Sequence, residues 1–247
     1  LKLPACHPLE VDKDRPQASL YGLQGPLPFK AFMRQAKRQA VDHLAEALGG
    51  DRLAAEYALL ALLSRVDART ESVALGSLAL NLSGVPPSSS AAFHRAVSAL
   101  VPKCSLVPVT TDSLSQEYKF APKKDYDADR LMLSALQLSP GTVVLLDETA
   151  LGPGQVGADG VRNVSALRSL LTLQKVPYEF SYYSMDFDVD HPVVALSGAK
   201  SMLGDAFAAH VPVVPAAAPT PTLPAAATEA AAAAAEADAD ADMDSGP

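Results

Sequence analysis

The chain has 247 residues, with 20 Lys and Arg against 28 Asp and Glu, two Cys and no Trp, and 49% of its residues are apolar. A chain of this length and composition is typical of a globular protein with one or two domains. Two cysteines are too few for a disulfide framework or a zinc ribbon, and no run of 18 uninterrupted apolar residues occurs. We therefore expect neither a membrane protein nor a disulfide scaffold, and we expect an intracellular, reducing compartment.

Acidic charge is concentrated at the C-terminal end. Residues 215–247 hold 15 Ala, 5 Pro and 6 acidic residues without a base, so the rest of the chain has 22 acids against 20 bases and a formal charge of −2 instead of −8. A segment of this composition buries too little apolar area to offset the entropy of ordering, which predicts a disordered acidic Ala/Pro-rich tail. Because binding to phosphates needs an excess of clustered Lys and Arg, we do not expect direct nucleic-acid binding.

The N-terminal part divides into a lead-in and a helix. Residues 1–27 carry four prolines and two glycines without periodicity, which predicts an extended lead-in. Pro28 suits the first turn of a helix that ends at Gly49-Gly50. Its apolar face consists of Phe32, Ala36, Ala40, Leu44 and Leu48. The opposite face is basic, which is more often a solvated face than a binding site; it carries Lys30, Arg34, Lys37 and Arg38.

A second helix is predicted directly afterwards, over residues 53–66. Asp51 is placed to accept hydrogen bonds at its N-terminus. Apolar residues occur on all sides of this helix and leave little polar surface, which predicts a central buried helix with Tyr57 in the core. The apolar residues are Leu53, Tyr57, Leu59, Leu60, Leu62, Leu63 and Val66.

From there the chain alternates between predicted strands and helices. Apolar runs, rather than alternating patterns, indicate parallel strands that are covered on both faces. The sequence therefore predicts an α/β fold with a mostly parallel three-layer sheet, the architecture of nucleotide-binding domains. Buried strands are predicted at 75–83, 104–110, 142–148 and 191–198, helices near 93–100, 129–138 and 163–174, a loop at 123–125, and an aromatic hairpin at 176–187.

The strand that ends in Asp147-Glu148 resembles the Walker B element of AAA+ ATPases. In those enzymes the Asp orients Mg²⁺ through water and the Glu polarises the attacking water. Both acids must then project from the carboxyl end of a strand next to the phosphate-binding strand. Acids at strand ends are common, so this motif alone does not establish an ATPase.

The phosphate loop of such an ATPase is missing. The pattern GxxxxGK[ST] occurs nowhere in the chain. If Gly84 is the first motif glycine, Ser89 replaces the second glycine and Ser90 replaces the lysine, while two prolines remove N–H donors from the loop. Ser197-Gly198 take the place of a long polar sensor side chain. The residues thus predict a degenerate AAA+ (P-loop NTPase-like) domain with vestigial sites, no catalytic residue, no cofactor and no metal.

Several long and unusual strings occur in order between about residues 40 and 210. They are residues 48–57, 75–84, 123–131, 146–149, 160–167 and 174–182. In these strings the chain resembles the minichromosome maintenance complex-binding protein family, or MCM-binding proteins. Beyond residue 214 the helical C-terminal region of that family is replaced by the acidic tail.

This resemblance implies a nuclear, non-enzymatic partner of the MCM replicative helicase. The family binds MCM subunits, supports assembly or stability of the MCM pool and its release from chromatin, and is linked to DNA replication and sister-chromatid cohesion. It also implies that chromatin is contacted indirectly. The hairpin at 174–187 corresponds to a helicase hairpin, but with Lys175 only at its base and acids at Glu179 and Asp186 it is poorly suited to hold DNA phosphates.

Three hypotheses remain open from the sequence. The leading one is a degenerate AAA+-like domain over residues 28–214 that acts as a binding module on MCM subunits. The alternative is a nucleotide-binding switch or weak ATPase that uses Asp147-Glu148. The third is a structural fragment without independent binding.

Overall fold

The structure, a computed structural model, describes residues 29–70, 73–117 and 119–215. The predicted lead-in over 1–27 lies outside these residues, and so does the predicted tail over 215–247 apart from Pro215. The helices in the described part are α1 (Phe29–Ala47), α2 (Arg52–Leu63), α3 (Pro87–Leu100), α4 (Thr111–Ser115) and α5 (Ala158–Leu173). The strands there are β1 (Ala68–Arg69), β2 (Ala74–Leu75), β3 (Leu80–Ser83), β4 (Cys104–Pro108), β5 (Lys123–Asp125), β6 (Arg130–Met132), β7 (Val143–Asp147), β8 (Lys175–Glu179), β9 (Ser184–Asp188), β10 (Val193–Ser197) and β11 (Ala209–Pro212).

A five-stranded sheet forms the centre, in the order β11-β3-β10-β7-β4. All four strand pairs are parallel, which confirms the predicted α/β fold with a mostly parallel sheet. The predicted strands at 104–110, 142–148 and 191–198 correspond to β4, β7 and β10. Parallel strands need crossover connections, and α3 and α5 lie in two of them.

Side chains of the sheet alternate between two apolar layers. On one face Leu145 packs with residues of α1, α2 and α3. On the other face Leu146 packs with residues of α5. Both leucines are fully buried, and each burial contributes about 1.5–3 kcal/mol to stability. The apolar run of β7 is thus explained by helices on both sides of the sheet, in a three-layer arrangement.

α1 agrees with its prediction, and α2 agrees only in part. Leu44 of α1 and Leu48, which directly follows this helix, are buried. The α2 N-terminus is capped by the Asp51 carboxylate, which accepts a hydrogen bond from the Ala54 N–H at 3.0 Å. The prediction of a fully buried α2 with Tyr57 in the core is wrong, because Tyr57 is 38% exposed. The core side of α2 is formed by small residues and one leucine, namely Ala54, Ala55, Ala58, Ala61 and Leu62.

The predicted strand at 75–83 is interrupted. β2 pairs with β1 in a separate two-stranded sheet, and only Leu80–Ser83 joins the central sheet as β3. Gly76 lies between them with φ +93°, and a Cβ at this position would be 2.5 Å from the Arg65 carbonyl oxygen. The chain therefore turns at a position that only glycine tolerates, which the apolar pattern does not reveal.

The predicted loop at 123–125 and the predicted helix at 129–138 are both wrong. This region forms the antiparallel pair β5–β6 within a second sheet, whose strand order is β6-β5-β8-β9. The Asp125 carboxylate accepts hydrogen bonds from the N–H groups of Asp127 and Ala128, and Asp129 has φ +46°. This turn chemistry favours a hairpin over a helix. The hairpin predicted at 176–187 is confirmed as β8–β9.

The sequence also did not predict the short strand β1, the short helix α4 and the edge strand β11. β11 pairs with β3 in parallel and completes the central sheet. Among the described residues, no helix has both the length and the apolar character that crossing a membrane requires.

Candidate functional site

The carboxyl ends of β3 and β10 border an open cleft of about 680 Å³. In open α/β sheets this edge is the usual place for ligands, at the point where the strand order changes direction. Here the direction changes between β3 and β10, because the chain leaves β3 towards β4 at one edge of the sheet and leaves β10 towards β11 at the other. The cleft is lined by Asn81, Ser83, Gly84, Gly198, Ala199, Lys200, Ser201, Gly204, Asp205 and His210.

Asp147, the last residue of β7, is held by the two segments beside it. One carboxylate oxygen, Oδ1, accepts hydrogen bonds from the Thr149 N–H at 3.0 Å and from the Thr149 hydroxyl at 2.6 Å. The other, Oδ2, accepts a hydrogen bond from the Ser90 hydroxyl on α3. An incoming Mg²⁺ or water therefore competes with donors that the protein already supplies.

Glu148 is bound on the opposite side of the strand. Its Oε1 accepts a hydrogen bond from the Ser201 hydroxyl at 3.0 Å, and its Oε2 accepts one from the Met202 N–H at 3.3 Å. The residue is only 4% exposed. Burial raises the pKa of the Glu148 carboxyl above its ordinary value, although the hydrogen bonds from Ser201 and Met202 act in the opposite direction.

All four carboxylate oxygens of the acid pair thus accept hydrogen bonds from within the protein. A Walker B Asp must face a hydrated Mg²⁺, and its neighbouring Glu must face a nucleophilic water. In this chain Asp147 fixes the start of α3, and Glu148 fixes the loop that follows β10. The arrangement connects three segments of the fold; Glu148 is buried within it, while Asp147 is half-buried.

The segment predicted to replace a phosphate loop, with Gly84, Ser89 and Ser90, also forms internal hydrogen bonds. Only three residues, Gly84 to Pro86, separate β3 from α3, which begins at Pro87. The Val85 N–H donates to the Ser197 carbonyl at 3.0 Å, and the Ser89 N–H donates to the Pro86 carbonyl at 2.9 Å. The two prolines have no N–H to offer. Two backbone donors of this short segment are therefore used within the protein and two positions lack a donor, which weakens its resemblance to a phosphate cradle.

Gly84 has a conformational role in this loop. Its φ of +78° lies in the left-handed region that favours glycine, so its presence is explained by the sharp exit from β3. No approach of a phosphate is needed to account for it.

The position that corresponds to the sensor is turned inward. Ser197 is buried, and its hydroxyl donates to the Asn81 side-chain oxygen at 3.0 Å. The expectation that the acid-bearing strand lies next to the phosphate-loop strand is wrong, since β10 lies between β7 and β3. The Ser90–Asp147 hydrogen bond nevertheless connects the predicted phosphate-loop segment to the acid pair.

Sequence reasoning found the acid pair and missed its partners. Thr149 directly follows the pair, and a hydroxyl two residues after a carboxylate is a common local donor. Ser201 is 53 residues away, and no local pattern identifies it as the partner of Glu148. Within the part of the chain that the structure describes, no group of three or more His, Cys, Asp or Glu is arranged to hold a metal ion.

Comparison with known proteins places these features in a family. A family model described as "Mini-chromosome maintenance replisome factor" matches residues 3–240. The chain is also similar to proteins named "Mini-chromosome maintenance complex-binding protein". It is 40% identical over 177 residues to that of Homo sapiens, 40% over 177 residues to that of Gallus gallus, and 37% over 207 residues to that of Arabidopsis thaliana.

These matches cover most of this chain and a smaller part of each relative. They include 71% of the chain for the human and chicken proteins and 81% for the Arabidopsis protein. The same alignments cover 27%, 28% and 35% of the human, chicken and Arabidopsis relatives. The chain therefore spans roughly a third or less of the length of these curated relatives.

Proposed function

The chain belongs to the Mini-chromosome maintenance replisome factor family, and on this premise we propose that it is a binding partner of the MCM complex with no catalytic activity of its own. The names of its relatives describe binding to that complex. The proposal includes a nuclear role in the assembly or stability of MCM complexes, in their release from chromatin during DNA replication, and in sister-chromatid cohesion.

The single observation that carries the non-enzymatic part is the internal use of all four carboxylate oxygens of Asp147 and Glu148. A catalytic acid pair would need to bind Mg²⁺ and activate water. Breaking the bonds to Ser90 and Ser201 would leave buried polar groups without partners, at a cost of about 1–3 kcal/mol each. An acid pair that is bonded within the protein supports a binding role better than a catalytic one.

We propose that the chain binds MCM subunits through a degenerate AAA+-like domain. ATPase domains of that type associate side by side in rings. A domain of similar shape without a working phosphate site would occupy or block the place of a neighbouring subunit. We propose this arrangement for the domain predicted over residues 28–214, with the parallel sheet as its rigid base.

The direct test is retention of MCM subunits by the purified full-length chain. The chain is immobilised, incubated with purified MCM complex, washed, and assayed for bound subunits by quantitative immunoblotting. Saturable retention is the expected result. A complete lack of retention at micromolar concentrations would contradict the proposal and would favour a structural piece whose interaction resides elsewhere in the longer relatives.

One observation favours the second candidate, a nucleotide-binding switch or weak ATPase. The open cleft at the carboxyl edge is lined by Lys200, a cation that suits a phosphate. Calorimetric titration with ATP and Mg²⁺ separates the two candidates, because the binding-partner proposal predicts no saturable heat. ATP hydrolysis that is lost in Glu148→Gln would establish the enzyme instead.

A further inference from the structure

α1 and α2 form a helical pair with an apolar groove between them, which we term the α1–α2 groove. Only four residues, Leu48 to Asp51, connect α1 to α2, and the two helices pack against each other. The groove has a volume of about 570 Å³. Its apolar lining consists of Met33, Ala36, Ala40, Leu59, Leu60 and Leu63.

On α2 the large apolar side chains are exposed and the small ones are buried, unlike in an ordinary surface helix. Leu60 is 57% exposed and Leu63 is 70% exposed, while the alanines of α2 face the core. An amphipathic surface helix normally buries its large apolar residues and exposes its polar ones. A contiguous exposed apolar patch marks an interaction site, because its burial by a partner removes large side chains from water.

The exposed apolar residues of α2 also follow a helical spacing. Leu53, Tyr57 and Leu60 are exposed at positions i, i+4 and i+7, and Leu63 continues the series one turn later. This spacing gives a continuous stripe along about three turns, next to the groove. A stripe of this length matches the apolar face of one further helix.

The α1 wall of the groove is basic. Arg34 and Lys37 belong to the lining, and Lys30 precedes them on the same side of the helix. The Lys37 Nζ lies 3.6 Å from the Glu56 Oε1 across the groove. Among the described residues, no ion pair joins Lys30 or Arg34 to a carboxylate, so this wall carries an excess of positive charge.

We propose that the α1–α2 groove binds one amphipathic α-helix of the MCM complex, with apolar residues at i, i+3 or i+4, and i+7 and with acidic residues beside that stripe. The inference rests on the proposed function and adds the surface and the chemistry of its partner. Both walls of the groove are helices whose backbone groups are already paired, so no strand edge exists there to receive an extended peptide. The basic α1 wall selects acidic flanks by charge complementarity.

The test compares matched substitutions in the full-length chain. Leu60→Asp and Leu63→Asp place a charge in the groove, whereas Leu133→Asp changes a leucine that is 80% exposed and distant in sequence, outside the groove lining. Binding of purified MCM complex is measured by biolayer interferometry. We expect at least a tenfold weakening for each groove variant and less than a twofold change for Leu133→Asp. Circular dichroism and thermal midpoints verify that each variant is folded.

Reversing the charge of Arg34 tests whether the partner helix carries acidic residues beside its apolar stripe. Arg34→Glu is expected to weaken binding by at least threefold and to reduce its dependence on salt, because a groove cation has been replaced by an anion. Unchanged affinity in Arg34→Glu would contradict the acidic partner.

A crosslink identifies the occupant independently of folding effects. A photoreactive benzoylphenylalanine replaces Leu60, and the crosslinked peptide is identified by mass spectrometry. A helical MCM segment with the stated apolar spacing and acidic flanks supports the inference. A crosslink to residues 1–28 of the same chain, to a second copy, or to an MCM segment of different character would overturn it.

The outcomes separate this inference from the proposed function. If the wild-type chain binds MCM complex and the groove variants bind equally well, only the inference about the groove fails. If the wild-type chain does not bind MCM complex, the proposed function fails and the inference fails with it.

Discussion

The carboxyl edge of the central sheet and the α1–α2 groove are opposites in how they use their side chains. At the edge, Asp147 and Glu148 have the residue types of a catalytic site, yet the protein supplies donors to all their oxygens. In the groove, Leu60 and Leu63 have the residue type of a core, yet both face solvent. In both regions, the hydrogen bonding and solvent exposure of a side chain, rather than its residue type, indicate whether it is free to contact a partner.

Different energetic terms explain why the acids at the edge are paired and why the leucines in the groove are exposed. At the edge, Glu148 is buried, and a buried polar group must be paired, so its carboxylate depends on the donors that Ser201 and Met202 supply. On α2, alanines fill the narrow space against the sheet, and the larger leucines are left on the outside. The edge stabilises the chain itself, whereas the groove retains apolar area that a partner can still bury.

The sharpest test of the contrast on α2 changes two positions that are two residues apart. Ala58→Asp places an uncompensated charge in the core, and we expect a loss of about 3–5 kcal/mol in the free energy of unfolding. Leu60→Asp places the same side chain at the surface and is expected to cost less than about 1 kcal/mol. Urea unfolding followed by circular dichroism measures both. Similar losses for the two variants would contradict the orientation of α2.

At the carboxyl edge, the expected effect is of intermediate size. Glu148→Ala removes the acceptor for the Ser201 hydroxyl and the Met202 N–H, and we expect a loss of about 1–3 kcal/mol. Glu148→Gln keeps the shape and one acceptor oxygen for the Met202 N–H, and its NH2 group can donate to the Ser201 hydroxyl oxygen. It serves as the matched control, with an expected loss below about 1 kcal/mol. If Glu148→Ala unfolded at the same urea concentration as the wild type, the acid would not have a structural role.

The smallest expected effect is the pH dependence of the stability that Glu148 contributes. Because the pKa of Glu148 is raised in the folded state, that state binds more protons than the unfolded chain above about pH 4.3. The stability that Glu148 contributes is therefore complete below this pH and declines as the pH rises through the folded pKa. The advantage of wild type over Glu148→Gln should thus be largest at acidic pH. Unfolding curves recorded from pH 4 to pH 8 measure it, and an advantage that grows with pH would contradict a raised pKa.

The sequence predicts the elements whose signals are local. β7 and β10 are continuous apolar runs between turn residues, and Asp51 caps α2 as its position predicts. β11 is missed because four residues at the edge of a sheet, two of them His210 and Pro212, carry no apolar run. The β5–β6 hairpin is missed because its turn depends on the side chain of Asp125.

The orientation of α2 and the partners of the acid pair depend on the whole fold. When apolar residues surround a helix, periodicity does not tell which side packs, and here the space available to Ala58 decided it. The acid pair itself is evident from the sequence, but the Ser201 hydroxyl reaches Glu148 only after the loop beyond β10 folds back.

The most direct measurement of the central claim compares one variant from each region in the same binding assay. Purified MCM complex is titrated onto the full-length wild-type chain, Leu60→Asp and Glu148→Gln, with each variant shown to be folded. We expect Leu60→Asp to weaken binding at least tenfold and Glu148→Gln to change it less than twofold. Weaker binding by Glu148→Gln together with unchanged binding by Leu60→Asp would contradict the proposed groove and would place the interaction at the carboxyl edge.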